Sequence, residues 1–156
     1  MKALKIAAPI LTILVALLVW LLPIGPAAGI FIGGSDSTAP DTWPDTSSVH
    51  EIKLKVNSSN LPRVVNIWLV QVENSLYIVG TRDSGWVSEL GNGGPVQMRM
   101  VNDTYSLQAS LVTTNWQSIL EAYQDKYRRD YPDIVKGFPT IEEAATTIAV
   151  FKLERF

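Results

Sequence analysis

The chain has 156 residues, 47% of them apolar, with 13 lysines and arginines against 15 aspartates and glutamates. It has no cysteine and a single histidine, His50. That excludes disulfides, thiol catalysis, cysteine-ligated zinc or iron–sulfur centres and multi-histidine metal sites, so no metal ligand set is expected.

The apolar residues are unevenly spread: 24 of the first 32 residues are apolar. No side chain from Ile6 to Ile32 is charged. Residues 6–22, IAAPILTILVALLVWLL, read as a single transmembrane helix in contact with membrane lipid, because about 20 apolar residues cross roughly 30 Å of hydrocarbon. Pro23, Gly25 and Pro26 then stop the helix. Lys2 and Lys5 precede the run, and no positive charge follows until Lys53. The positive-inside rule therefore predicts a cytoplasmic N-terminus and an extracytoplasmic domain. A cleaved signal peptide is the alternative, since Ala27-Ala28-Gly29 follows, although the 17-residue run exceeds the usual apolar core of about 7–15. Residues 1–32 are taken as the anchor, 33–48 as a Gly-, Ser-, Thr-, Pro- and Asp-rich linker, and 49–156 as the folded domain. Trp43, alone in the linker, is either exposed or docked on the domain.

Beyond residue 32, the 13 cations less Lys2 and Lys5 leave 11 against 15 anions, a net charge of −4. The longest basic run is Arg128-Arg129. Nucleic acid held by charge is not an expected partner.

The domain opens with short strands. His50–Val56 alternates, with Ile52, Leu54 and Val56 on one face. Arg63–Val72 is apolar on both parities, which suits a central strand covered on both faces. Asn74-Ser75 turns the chain into Leu76–Gly80. Thr81–Gly94 breaks the pattern, with room for one helical turn at Trp86–Leu90. Val96–Val101 alternates, Asn102-Asp103 is a hairpin signal, and Tyr105–Leu111 alternates again. Trp116, Ile119, Leu120, Tyr123 and Tyr127 fall at helical spacing; Thr114 with Gln117 reads as a capping box, and Pro132 closes the segment. Lys126, Arg128 and Arg129, beside Asp125 and Asp130, read as a solvated face. Thr140 with Glu143 predicts a second, short helix, and Thr146–Glu154 a last strand. The expected fold is mainly β: a six-stranded antiparallel barrel with one long amphipathic helix, preceded by a single transmembrane helix.

The stretch VNIWLVQVENSLYIVGTRDSGWVSELGNGGPVQMRMVNDTYSLQASLV, with ILEAYQDKYRRDYP and TIAVFKLER after it, resembles the flavin-binding split β-barrels. These include the pyridoxamine 5′-phosphate oxidase-like and deazaflavin-dependent nitroreductase-like proteins. Gly33-Gly34 just after the apolar run is similar to a membrane-anchored branch. The likeness covers Glu51 to Arg155 and is one of layout. It implies that the crossover after the second hairpin strand, Thr81, Arg82, Ser84, Gly85 and Trp86, holds the flavin phosphate. A guanidinium, hydroxyls and close backbone at a turn suit a phosphate. Trp68 and Trp86 offer planar surfaces, although Trp68 reads first as core. FMN is the implied cofactor, deazaflavin the second choice, and a homodimer the implied assembly. No catalytic acid or base is indicated.

Three departures weigh on the cofactor. Gly85-Trp86 stands where many members carry a second basic residue. Asp83 adjoins Arg82. The family's Asn-Pro corner is stretched to Asn92-Gly93-Gly94-Pro95. Two functions therefore remain: a membrane-tethered extracytoplasmic flavin-type oxidoreductase, and a non-enzymatic split-barrel binding or structural module that has lost its cofactor. A metal or haem role for His50 is the weakest of the site readings.

Overall fold

A computed structural model of the chain describes residues 10–17, 21–23, 28–58 and 61–156. Residues 6–9 and 18–20 of the expected membrane helix lie outside these residues; residues 10–17 are helical. Among the described residues, no helix is long and apolar enough to cross a membrane.

Among the described residues, seven strands and four short or medium helices make up the domain. They are β1 (Ser35–Ser37), β2 (Glu51–Val56), β3 (Arg63–Val72), β4 (Ser75–Thr81), α1 (Gly85–Leu90), β5 (Gly93–Met100), β6 (Asp103–Leu111), α2 (Trp116–Arg128), α3 (Pro132–Lys136), α4 (Ile141–Thr147) and β7 (Ile148–Glu154). Strands β6, β5, β2, β3, β4 and β7 pair antiparallel in that order, and β7 pairs back with β6. This is the expected six-stranded closed barrel. The extra strand, β1, runs parallel to the start of β6 at Asp103–Tyr105, while β7 takes Gln108–Leu111 further along the same strand.

Alternation places the core. Leu54, Leu69, Leu76, Ile78, Met98, Leu107, Ala109 and Phe151 fill the interior, all fully buried. The double-sided apolarity of β3 has the expected cause: Leu69 points inward, while Val70 lies beneath α2 in a second cluster with Ile119, Tyr123, Tyr127 and Val150. The stripe read from the sequence is the buried face of α2.

Two turn expectations shift by one residue. Val72 pairs with Ser75 and Met100 with Asp103, so the turns are Glu73-Asn74 and Val101-Asn102. The inward sets fix the register, and the turns must accommodate it. As a result Glu73 and Val101 hold positive φ, 55° and 57°. The Thr114–Gln117 capping box does not form. Asn115 interposes a left-handed residue at φ 56° with no side-chain cap, so α2 starts at Trp116. Pro132 starts α3, at a first-turn position where its missing N–H is harmless. The Thr140–Glu143 box is present in both directions.

Residues 28–48 lie on the barrel. The Gly29 N–H donates to the Val64 carbonyl at 2.8 Å, and the Val64 N–H to the Gly29 carbonyl at 2.7 Å. The Ile32 carbonyl accepts from Arg99 Nη1 at 3.1 Å, and the Gly33 carbonyl from Thr104 Oγ1 at 2.6 Å. This segment therefore crosses the outside of the barrel from β3 to β6. Further on, Trp43 is docked, 4% exposed, with its ring edge-on to Tyr105 at 5.2 Å. The Trp43 backbone N–H donates to Asn74 Oδ1 at 2.9 Å. Thr46 is buried, and both its N–H and its hydroxyl donate to Gln71 Oε1 at 3.1 Å. The composition is that of a linker, but side chains of the barrel supply partners for its backbone.

Candidate functional site

Thr81 ends β4 exposed, paired with Ile148 of β7. The Arg82 N–H donates to the Thr147 carbonyl at 2.8 Å, which pins the corner to α4. The Arg82 side chain is exposed, and among the described residues no carboxylate pairs with it. It stands on the wall of a cleft of about 220 Å³, with Thr113, Trp116, Leu111, Val112 and Ile148. An unpaired guanidinium, a hydroxyl and an indole over an aliphatic floor can take an anionic group attached to an apolar or planar body.

The other residues named from the sequence lie differently. The Ser84 hydroxyl donates to the Thr81 carbonyl at 2.7 Å and closes the turn before α1. Gly85 faces the guanidinium of Arg63, which a β-carbon would approach to 3.0 Å; Arg63 Nε pairs with Glu89 at 3.3 Å. Trp86 is 7% exposed and packs against Phe151, beneath Gly80. Trp68 stacks on Tyr127, with ring centroids 4.1 Å apart and planes 15° apart. Thr81 and Arg82 reach the solvent side of the corner; Trp68 and Trp86 are packed within the fold. Trp116 and Thr113 were not singled out as site residues. Trp116 reads as the first member of the α2 stripe, and only the return of β7 and α4 brings it to Arg82.

The solvated-face reading of Lys126 is overturned. Its ammonium donates to three carbonyls, Thr46 at 2.9 Å, Val49 at 2.8 Å and Leu69 at 2.9 Å. Burial pushes its pKa down to about 8, and the charge of Asp45 works in the other direction. The Tyr127 hydroxyl beside it accepts from the Leu69 N–H at 3.0 Å and shares its proton between the carbonyls of His50, 2.6 Å, and Leu69, 2.8 Å. Burial raises the Tyr127 phenol well above its ordinary range. The two side chains clamp residues 46–50 to β3 where the β2–β3 ladder ends. Arg128 does lie exposed, paired with Asp125 at 3.1 Å. His50 Nε2 sits 3.4 Å from Asp130 on a broad open groove. Among the described residues no group of histidines and carboxylates could hold a metal ion.

No protein-family model matches the chain, and no curated protein sequence matches it. Solved structures do. HutZ, a haem storage protein from Vibrio cholerae, superposes with a TM-score of 0.53 at 14% identity, over 69% of this chain and 82% of that one. A protein from Bacteroides thetaiotaomicron named for 5-nitroimidazole antibiotic resistance superposes with a TM-score of 0.52 at 12% identity, over 69% and 73%. At such identities the likeness is one of fold, and fold does not carry function. Together with the closed six-stranded topology, it makes the domain a split β-barrel.

Proposed function

We propose that the chain is a membrane-tethered, extracytoplasmic split-barrel protein that binds a flavin, FMN before deazaflavin, and serves as a flavin-type oxidoreductase. The observation that carries the reading is Arg82: an unpaired guanidinium on a concave wall, in a chain whose net charge beyond residue 32 is −4. It fits a phosphate, with the Thr113 hydroxyl and the Trp116 indole on the same cleft. Gly85 and Trp86 shape the corner from within, and Ser84 holds its turn. The cleft of about 220 Å³ is smaller than the usual ligand pocket of about 300–1,000 Å³. A second copy of the chain would complete it, in keeping with the homodimer that the resemblance implies. A bound flavin supplies the redox chemistry, and these residues bind and orient it. Tethering is supported by the charge-free run after Lys2 and Lys5, and by residues 10–17, where Ile10, Leu11, Ile13 and Leu14 expose about half their surface or more.

A second reading, the non-enzymatic module, is favoured by one feature. Trp68 and Trp86, both expected at a cofactor, are packed against other aromatic rings, and the Ser84 hydroxyl is taken up by the Thr81 carbonyl.

Full-length protein in detergent, titrated with FMN and with riboflavin, separates the two. A charge-assisted contact contributes about 1.5–3 kcal/mol, so Arg82→Ala should weaken FMN roughly 10- to 150-fold and riboflavin far less. Equal loss of both places the phosphate elsewhere. No binding of either by folded wild-type protein decides for the non-enzymatic module.

A further inference from the structure

We propose that the outer face of β2 and β5, together with residues 29–33 that cross it, is the surface on which the domain rests against an anionic lipid bilayer, with Lys53 and Lys55 as its headgroup contacts and Arg99 holding the crossing segment. The proposal rests on the membrane-tethered reading above.

Strand parity builds the patch. Ile52, Leu54 and Val56 point into the barrel, so Lys53 and Lys55 point out, with the exposed Glu51 at the start of the same face. On β5, Val96, Met98 and Met100 point in, and Gln97 and Arg99 point out. Register sets Lys53 opposite Arg99 and Lys55 opposite Gln97. On β6 the face continues with Ser106 and Gln108, both uncharged, while Thr104 is buried against the Gly33 carbonyl. Among the described residues neither Lys53 nor Lys55 has a carboxylate partner. Two like charges directly across a ladder repel each other.

Independently of that charge, the path of the chain points to the same face. The Leu21 carbonyl accepts from the N–H groups of Ile30 and Phe31, both at 3.0 Å, so the end of the apolar run folds back on residues 29–31. Gly29 is bonded to Val64, the cross-strand partner of Lys55. The Ile32 carbonyl is held by Arg99 itself. An apolar run inserted in a bilayer and ending at Leu21 therefore brings β2 and β5 to the headgroups. The α2 side, with Glu121 exposed, faces the other way. Phe31 is 58% exposed beside the patch, and aromatic rings favour the interfacial layer.

The chain lacks cysteine, so single cysteines can report the distance to lipid. Gln97→Cys lies on the patch and Glu121→Cys on α2. Each full-length variant carries a fluorophore and is reconstituted into vesicles of phosphatidylcholine, with or without phosphatidylglycerol, that contain a headgroup spin-labelled quencher. Both should float with the vesicles. The label at position 97 should be quenched far more than that at 121, and more so with phosphatidylglycerol. Each lysine at an anionic surface shifts the resting equilibrium roughly fivefold, so Lys53→Glu with Lys55→Glu should bring position 97 down toward position 121. Added salt should do the same to the unsubstituted patch, which covers the case of a variant that does not fold. Equal quenching at 97 and 121 in floating protein overturns the surface and leaves the anchor standing. Protein that does not float overturns both.

Discussion

Gly80 and Trp86 share one volume: a β-carbon on Gly80 would collide with the Trp86 indole and stand 2.9 Å from Val87 Cγ2. A glycine inside a strand often marks such a close approach. Here it lets α1 fold down onto the end of the barrel, and that fixes the corner that presents Arg82. Gly80→Ala should lower stability by about 1–3 kcal/mol, as overpacking does, and weaken FMN together with riboflavin. Denaturant midpoints and the same two titrations check it; an unchanged midpoint would mean that the indole has room to move.

Lys126→Ala should destabilise the domain by about 1–3 kcal/mol, because three carbonyls lose their shared donor and residues 46–50 lose a clamp. Arg128→Ala, on the exposed side of the same helix, should stay within about 0.5 kcal/mol. Urea unfolding of the two variants makes the comparison, and equal midpoints would show the clamp to be energetically idle.

The same lysine predicts an unusual pH profile. Burial takes Lys126 from its ordinary 10.5 down to about 8. Between those values the unfolded chain holds a proton that the folded chain has released, so folding is favoured as pH rises through the window. Tyr123 and Tyr127 act with the opposite sign. Burial raises both above the ordinary 10, so beyond that pH the unfolded chain loses protons the folded chain keeps. The urea midpoint should climb from pH 8 toward 10 and then fall. Lys126→Met should abolish the climb and leave the fall; a climb that persists in this variant assigns it to another group.

Val101→Gly should stabilise the protein. Val101 is 70% exposed and β-branched, with φ at 57° in a two-residue turn. Left-handed backbone costs a non-glycine residue about 1–2 kcal/mol, against roughly 0.5–1 kcal/mol for glycine's greater freedom when unfolded. A net gain of about 0.5–1 kcal/mol should appear in thermal and urea unfolding. A loss would mean that the turn has relaxed in solution.

What the sequence could and could not disclose follows from the range of each interaction. Alternation in β2, β5 and β6 and the stripe on α2 are local, and they lead directly to the barrel and its helix. The hairpin turns slip by one residue because Asn74 and Asn102 suit either turn position, and the inward set decides between them. Lys126 reads as solvated from sequence because its partners Thr46 and Val49 come from a segment some eighty residues away whose composition suggests no fold of its own. Trp86 sits among polar neighbours, and the hint that it turns inward is a glycine six residues earlier. Arg82 was visible as an isolated cation at a corner. Its cleft was not, since Trp116 and Ile148 reach it only through closure of the sheet.

The short parallel strand at Ser35–Ser37 covers the stretch of β6, Asp103–Tyr105, that β7 does not reach. Without it, β6 would present unpaired backbone donors and acceptors beside the exposed Val101 turn. Bare strand edges of that kind recruit other chains. A protein shortened to begin after residue 37 should therefore self-associate through β6. The Gly- and Ser-rich segment acts as a guard against edge-to-edge aggregation, and its removal to gain solubility would have the reverse effect.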